Sequence, residues 1–150
     1  YEILIGLVGS EMCIRDSVVA AAGTFGYELD LNEITDEELE EVRRQITHFK
    51  TCWDLVLRGD YYRLSNPFAE EPFQAWMHVS PERDRALVGV VMDKIHANPC
   101  RPRLRLKGLD PQADYRVNGT VYGGDQLMYA GLALPVLDEY EAVQYDIEKV

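Results

Sequence analysis

The sequence predicts an α+β chain, mainly β, in which one strand and one helix precede an antiparallel β-sandwich. Three observations carry this expectation. Thr35 and Glu38 form a Thr-x-x-Glu capping box ahead of an apolar stripe, Leu39, Val42, Ile46, Phe49, Trp53 and Leu57, at steps of three or four. After Gly59 the apolar period changes to two, first in Tyr61, Tyr62 and Leu64 and again through Gln74-Ala75-Trp76-Met77-His78-Val79. Short strand candidates then alternate with turn formers such as Asn98-Pro99 and Asn118-Gly119.

Taken in order, residues 18–31 are apolar at first and turn polar only near their end. That pattern suits a buried parallel strand and its exit, and a short helix followed by a strand fits it too. Gly23 and Gly26 within this run are expected to allow close backbone approach. The helix then runs to Gly59, which is expected to end it in the left-handed conformation that glycine adopts without a Cβ clash. Its stripe should face a core, with Phe49 and Trp53 as core aromatics rather than ligand stackers. Eight acidic residues between Glu28 and Glu41, with no basic one among them, read as a solvated helix start that suits the helix dipole.

Beyond Gly59 the strand candidates are residues 61–64, 74–79, 86–92, 103–106, 115–122 and 142–147. Six short strands with turns between them indicate a β-sandwich. The one basic run, Arg101-Pro102-Arg103-Leu104-Arg105-Leu106-Lys107, alternates charge with leucine and reads as a strand with a solvated face. It lacks the paired glycines and helix start that usually cradle phosphate. A lone strand and helix cannot bury their own apolar faces. Residues 18–58 therefore read as the last βα unit of a larger barrel, and residues 59–150 as a β-sandwich domain.

Composition narrows the function classes. A formal charge of -11 argues against broad contact with phosphate backbones, so nucleic acid is not an expected partner. No apolar run approaches the about 18 residues of a membrane span, so no membrane partner is expected either. The three cysteines, Cys13, Cys52 and Cys100, are odd in number and widely spaced, which suggests neither a disulfide framework nor a CxxC metal site and fits a reducing, cytoplasmic location. His48, His78 and His96 stand apart in sequence, and no cofactor or metal is expected.

Residues 1–17 call for a separate origin. They lack the basic start and uninterrupted apolar stretch of a signal peptide. The stretch Leu7-Val8-Gly9-Ser10-Glu11-Met12-Cys13-Ile14-Arg15-Asp16-Ser17 resembles the forward translation of a transposase-type sequencing adapter, and Tyr1-Glu2 resembles the flow-cell end that precedes it. Native coding sequence is therefore expected from about Val18.

The remaining residues resemble the C-terminal part of glycoside hydrolase family 36 α-galactosidases. The likeness runs in order through Gly23-Thr24-Phe25-Gly26-Tyr27-Glu28-Leu29-Asp30-Leu31, Gln45-Ile46-Thr47-His48-Phe49-Lys50 and Gly59-Asp60-Tyr61-Tyr62-Arg63-Leu64 with Asn66-Pro67-Phe68. It continues through Ala75-Trp76-Met77-His78-Val79-Ser80, Leu104-Arg105-Leu106-Lys107-Gly108-Leu109-Asp110-Pro111, Tyr115-Arg116-Val117 and Tyr122-Gly123-Gly124-Asp125-Gln126-Leu127-Met128. Gln126 stands where the family commonly has Glu, and the tail from Pro135 is variable. The resemblance implies an N-terminal β-supersandwich, a (β/α)8 barrel and a C-terminal β-sandwich in the parent, with residues 18–31 at barrel strand eight.

It also implies hydrolysis of terminal α-galactosides such as melibiose and raffinose, with retention, by two aspartates about 5 Å apart. The motifs that carry those aspartates are absent here, so no catalytic, substrate-binding or metal residue is assigned and the chain alone is expected to be inactive. Glu28 and Asp30 are the rival pair, near the C-terminal end of the expected strand, where barrel sites assemble. Alternate strand positions lie roughly 7 Å apart, and the family's pair is elsewhere, so they read as polar strand-exit residues. The parent is expected to act on an α-galactoside and to form a homo-oligomer. Two other readings are a non-catalytic carbohydrate-binding or oligomerisation sandwich, with Tyr61, Tyr62 and Trp76 together on one face, and part of a raffinose-synthase-like galactosyltransferase.

Overall fold

The structure, a computed structural model, describes residues 14–23, 25–27, 30, 34–66, 68–95 and 102–150. It opens with helix α1, Ile14–Ala20, where a strand was the first expectation from Val18 onward. The described residues of 21–30 form no strand. A parallel strand is held by ladder hydrogen bonds to neighbours on both sides, and among the described residues none supplies them there. Val18 and Ala21 are instead buried, and α1 packs against residues Arg85–Met92 and Ala142–Lys149 of the sheet described below. Gly23 and Gly26 have open space where a Cβ would sit, so the expected tight packing at these glycines is not found.

Helix α2, Asp36–Arg58, forms as the capping box requires: Thr35 Oγ1 accepts from the Glu38 N–H, and Glu38 accepts from the Thr35 N–H. Asp36, Glu37 and Glu38 fill the first turn, with Arg58 in the last. Gly59 does end the helix, but in extended conformation (φ -71°, ψ 157°) and not left-handed. The glycine is needed for space: a Cβ there would lie 2.4 Å from the Leu55 carbonyl oxygen and 2.9 Å from that of Val79.

Among the described residues eight strands follow: β1 Asp60–Arg63, β2 Phe73–Val79, β3 Arg85–Met92, β4 Arg103–Leu104, β5 Asp114–Val117, β6 Thr120–Gly123, β7 Leu132–Ala133 and β8 Ala142–Lys149. Six of them make one antiparallel sheet in the order β1-β2-β3-β8-β5-β6, so the last strand in sequence lies inside the sheet. The other two, β4 and β7, pair as a small second sheet.

Turn chemistry sets the registers. Asn118 (φ 46°) and Gly119 (φ 83°) form the two-residue turn that joins Val117 to Thr120, so the single strand expected over 115–122 is a hairpin. At the β2–β3 turn Arg83 takes φ 57°, and the Ser80 hydroxyl accepts from the N–H groups of both Asp84 and Arg85. The basic run keeps its alternation, with Leu104 and Leu106 buried and Arg103, Arg105 and Lys107 exposed, although its paired part is only two residues long.

One core lies between the large sheet and the layer carrying β4, β7 and the π-helix Gln126–Ala130. Met77, Val88, Val90, Tyr115 and Leu127 are fully buried in it. Each such side chain contributes about 1.5–3 kcal/mol by leaving water. The opposite face of the large sheet carries the helices. There Cys52 and Leu55 of α2 pack on Leu87 of β3 as a second, smaller cluster.

Candidate functional site

The helix-covered face of the sheet holds the chemistry-bearing groups. His48 and Cys52 sit one turn apart on α2, an i,i+4 spacing that puts both on the side toward the sheet. Asp146 and Gln144, at alternate positions of β8, present their side chains to the same face. Among the described residues, His48, Cys52 and Asp146 are the group of possible metal ligands whose donor atoms all lie within 4.8 Å of one another. Sequence reading treated the two helix residues as isolated. The i,i+4 spacing was visible, but the third member lies 94 positions beyond Cys52 and only the fold brings it there.

The contacts inside this group are long. His48 Nε2 lies 3.8 Å from Asp146 Oδ2 and 3.9 Å from Cys52 Sγ, and Sγ lies 3.7 Å from Asp146 Oδ1. The Gln144 amide approaches His48 Nε2 at 3.1 Å. Cys52 is a buried, unpaired cysteine, and burial, more than the nearby Asp146 carboxylate, pushes its thiol up from the usual range. His48 and Asp146 remain partly open to solvent beside a cleft of about 530 Å³ lined also by Val18, Phe25 and Gln45.

A second histidine, His78 on β2, is buried on this face with its ring edge-to-face to Tyr61 at 5.3 Å. Neither ring nitrogen makes a well-formed hydrogen bond among the described residues. Burial pulls its imidazole below the usual value, and the Ala22 backbone nearby opposes this only in part.

The residues weighed as alternatives fall apart in space. Tyr61 is exposed on the helix side, where Trp76 lies across Gly89, whereas Tyr62 points into the core and stacks over Gly108. The three aromatics do not share one face. Asp30 is exposed, and Glu28 lies outside the described residues, as do Cys13, Cys100 and His96. Phe49 is half-buried between Phe25 and Trp53, and Trp53 is 41% exposed, so the latter is not the core aromatic expected.

Comparison with known proteins places this geometry. The profile described as Glycosyl hydrolase family 36 C-terminal domain matches residues 73–147, which runs from the start of β2 into β8. A bifunctional alpha-galactosidase/sucrose kinase of Mediterraneibacter gnavus is 47% identical over 131 residues, covering 85% of this chain and 14% of its own length. The alpha-galactosidase AgaA of Geobacillus stearothermophilus is 48% identical over 118 residues, covering 78% of this chain and 16% of its own. The crystal structure of the family 36 alpha-galactosidase AgaB from Geobacillus stearothermophilus superposes on 95% of this chain with a TM-score of 0.86 at 41% identity, using 20% of that chain. A variant of AgaA solved in complex with raffinose superposes with a TM-score of 0.82. The chain thus spans a fifth or less of the relatives it matches.

Proposed function

The chain belongs to glycoside hydrolase family 36, and from that premise we propose that it is the C-terminal part of an α-galactosidase whose parent hydrolyses terminal α-galactosides of the raffinose and melibiose type with retention. The observation that carries this reading is the superposition of nearly the whole chain on a family 36 α-galactosidase at 41% identity. Residues 59–150 form the C-terminal β domain, residues 18–58 supply the last strand and helix of the barrel, and residues 1–17 derive from adapter sequence. A cytoplasmic, homo-oligomeric parent belongs to the same proposal.

Helix α2 supports the barrel assignment. Its sheet-facing residues, His48, Cys52 and Leu55, lie about 120° around the helix from Phe49, Trp53 and Leu57. The first face is occupied, while Trp53 and Leu57 of the second stand 41% and 62% exposed. A helix with two apolar faces fits between two layers, and the β domain fills only one.

Retaining hydrolysis needs two carboxylates at close range, and the segment matched here carries neither family motif. The 150-residue chain should give no hydrolysis of a chromogenic α-galactoside above buffer. A chimera in which residues 34–150 replace the matched segment of AgaA should restore it. Hydrolysis by the chain alone that disappears on Asp30→Asn would overturn the reading, as would a folded chimera without activity. Re-reading the raw sequence data around the codon for Val18 tests the adapter origin separately.

A further inference from the structure

We infer that His48, Cys52 and Asp146 form a zinc-binding site at the seam between α2 and the sheet, with Gln144 beside it. The donor set is a thiol, an imidazole and a carboxylate, a combination that suits a borderline-soft divalent ion such as Zn²⁺ over Mg²⁺ or Ca²⁺. The distances point the same way. Ligands around tetrahedral zinc stand about 3.3–3.7 Å from one another, given Zn–N, Zn–O and Zn–S bonds of about 2.0–2.3 Å. Here Cys52 Sγ lies 3.9 Å from His48 Nε2 and 3.7 Å from Asp146 Oδ1, His48 Nε2 lies 3.8 Å from the other carboxylate oxygen, Oδ2, and one donor atom from each residue falls within 4.8 Å of the others, so a modest inward turn of the side chains brings all three to a shared ion.

Two rigid elements hold the donors. His48 and Cys52 ride on successive turns of a 23-residue helix. Asp146 and Gln144 lie on β8 opposite Leu87 and Gly89 of β3, inside the sheet. Rotating the Gln144 amide, whose oxygen and nitrogen are interchangeable by assignment, turns an oxygen toward the same point. That amide, or water from the adjoining cleft, completes four-coordination.

Charge and protons balance. The ion takes the place of the Cys52 thiol proton, which leaves to solvent, and joins one thiolate, one carboxylate and one neutral imidazole, so the site as a whole carries no net charge. The site does not rest on the proposed hydrolase activity: two of its donors lie on α2 and one on β8, all within this chain, and none is assigned a part in hydrolysis.

The test is metal titration of the 150-residue chain, reduced and chelator-stripped, with Co²⁺ as the spectroscopic probe and Zn²⁺ as competitor. One equivalent of Co²⁺ should produce a thiolate charge-transfer band, and Zn²⁺ should displace it. Cys52→Ala should abolish the band even though Cys13 and Cys100 remain, while His48→Ala and Asp146→Asn should each weaken binding by more than about tenfold. Circular dichroism of each variant identifies any that fail to fold. For such a variant, a zinc-dependent rise in the thermal midpoint of the unaltered chain, absent from whichever variants fold, carries the same information. No Co²⁺ band in the unaltered chain, or a band that survives in Cys52→Ala, overturns the site.

Discussion

Tyr115 is wholly buried, and its hydroxyl is used twice, donating to the Arg83 carbonyl at 2.7 Å and accepting from the Asp110 N–H at 2.9 Å. It thereby ties the β2–β3 turn, where Arg83 holds a positive φ, to the loop before β5. Tyr115→Phe keeps the ring but strands both partners, which should cost about 1–3 kcal/mol in urea unfolding. His78 works in the opposite sense, as a buried ring without good partners. Because burial lowers its folded-state affinity for a proton, the unfolded chain binds that proton first. Stability is then complete above the unfolded value of about 6.5 and falls as pH drops from there toward the lower folded value. Thermal melts between pH 7.5 and 5 should show the decline, and His78→Phe should flatten it. An unchanged slope in that variant would assign the decline to other groups. Neither role was legible in the sequence, where Tyr115 was one alternating apolar position and His78 an isolated histidine, because partners 32 positions away are fixed only by the sheet.

Elements with local signals were readable and those without were not. The α2 start follows from Thr35 and Glu38 alone, and Thr35→Ala, which removes the acceptor for the Glu38 N–H, should lower stability by about 1 kcal/mol in the same unfolding assay. Strands β2, β3 and β8 lie close to where alternation and β-branched content put them. The Asn118-Gly119 pair announced a turn, yet residues 115–122 still read as one strand, since alternation continues through a two-residue hairpin. Strand β4 was read as 103–106, two residues longer than its paired part, whereas the two-residue strand β7 and the π-helix between Asp125 and Gly131 leave too short a pattern to detect. Gly59 shows the limit for single residues: its place at the helix end was evident, but its reason is the space between the Leu55 carbonyl one turn back and the Val79 carbonyl across the fold, of which only the first is local.

At the scale of the molecule, the described residues before α2 take helix α1 and no strand, which fits the expectation of a short helix better than that of a strand from Val18, because a strand depends on ladder neighbours while a helix bonds within its own segment. At its C-terminal end the stripe read from the sequence of α2 is inverted: Trp53 and Leu57 are left open, while Cys52 and Leu55, read as unremarkable, pack on the sheet, although Val42 of the same stripe is buried. This inversion makes the barrel assignment testable by context. Leu57 is 62% exposed in this chain, so Leu57→Lys should change the unfolding free energy by less than about 0.5 kcal/mol. In the chimera with the AgaA barrel, the same lysine would be pressed into an apolar seam between helix and barrel, where an unpaired charge is costly. There it should lower the thermal midpoint by several degrees, as a loss of about 2 kcal/mol or more does, and reduce hydrolysis through loss of folded enzyme. An equal and small effect in both proteins would mean that this face of α2 meets no barrel, and residues 18–58 would then have to be assigned to the β domain instead.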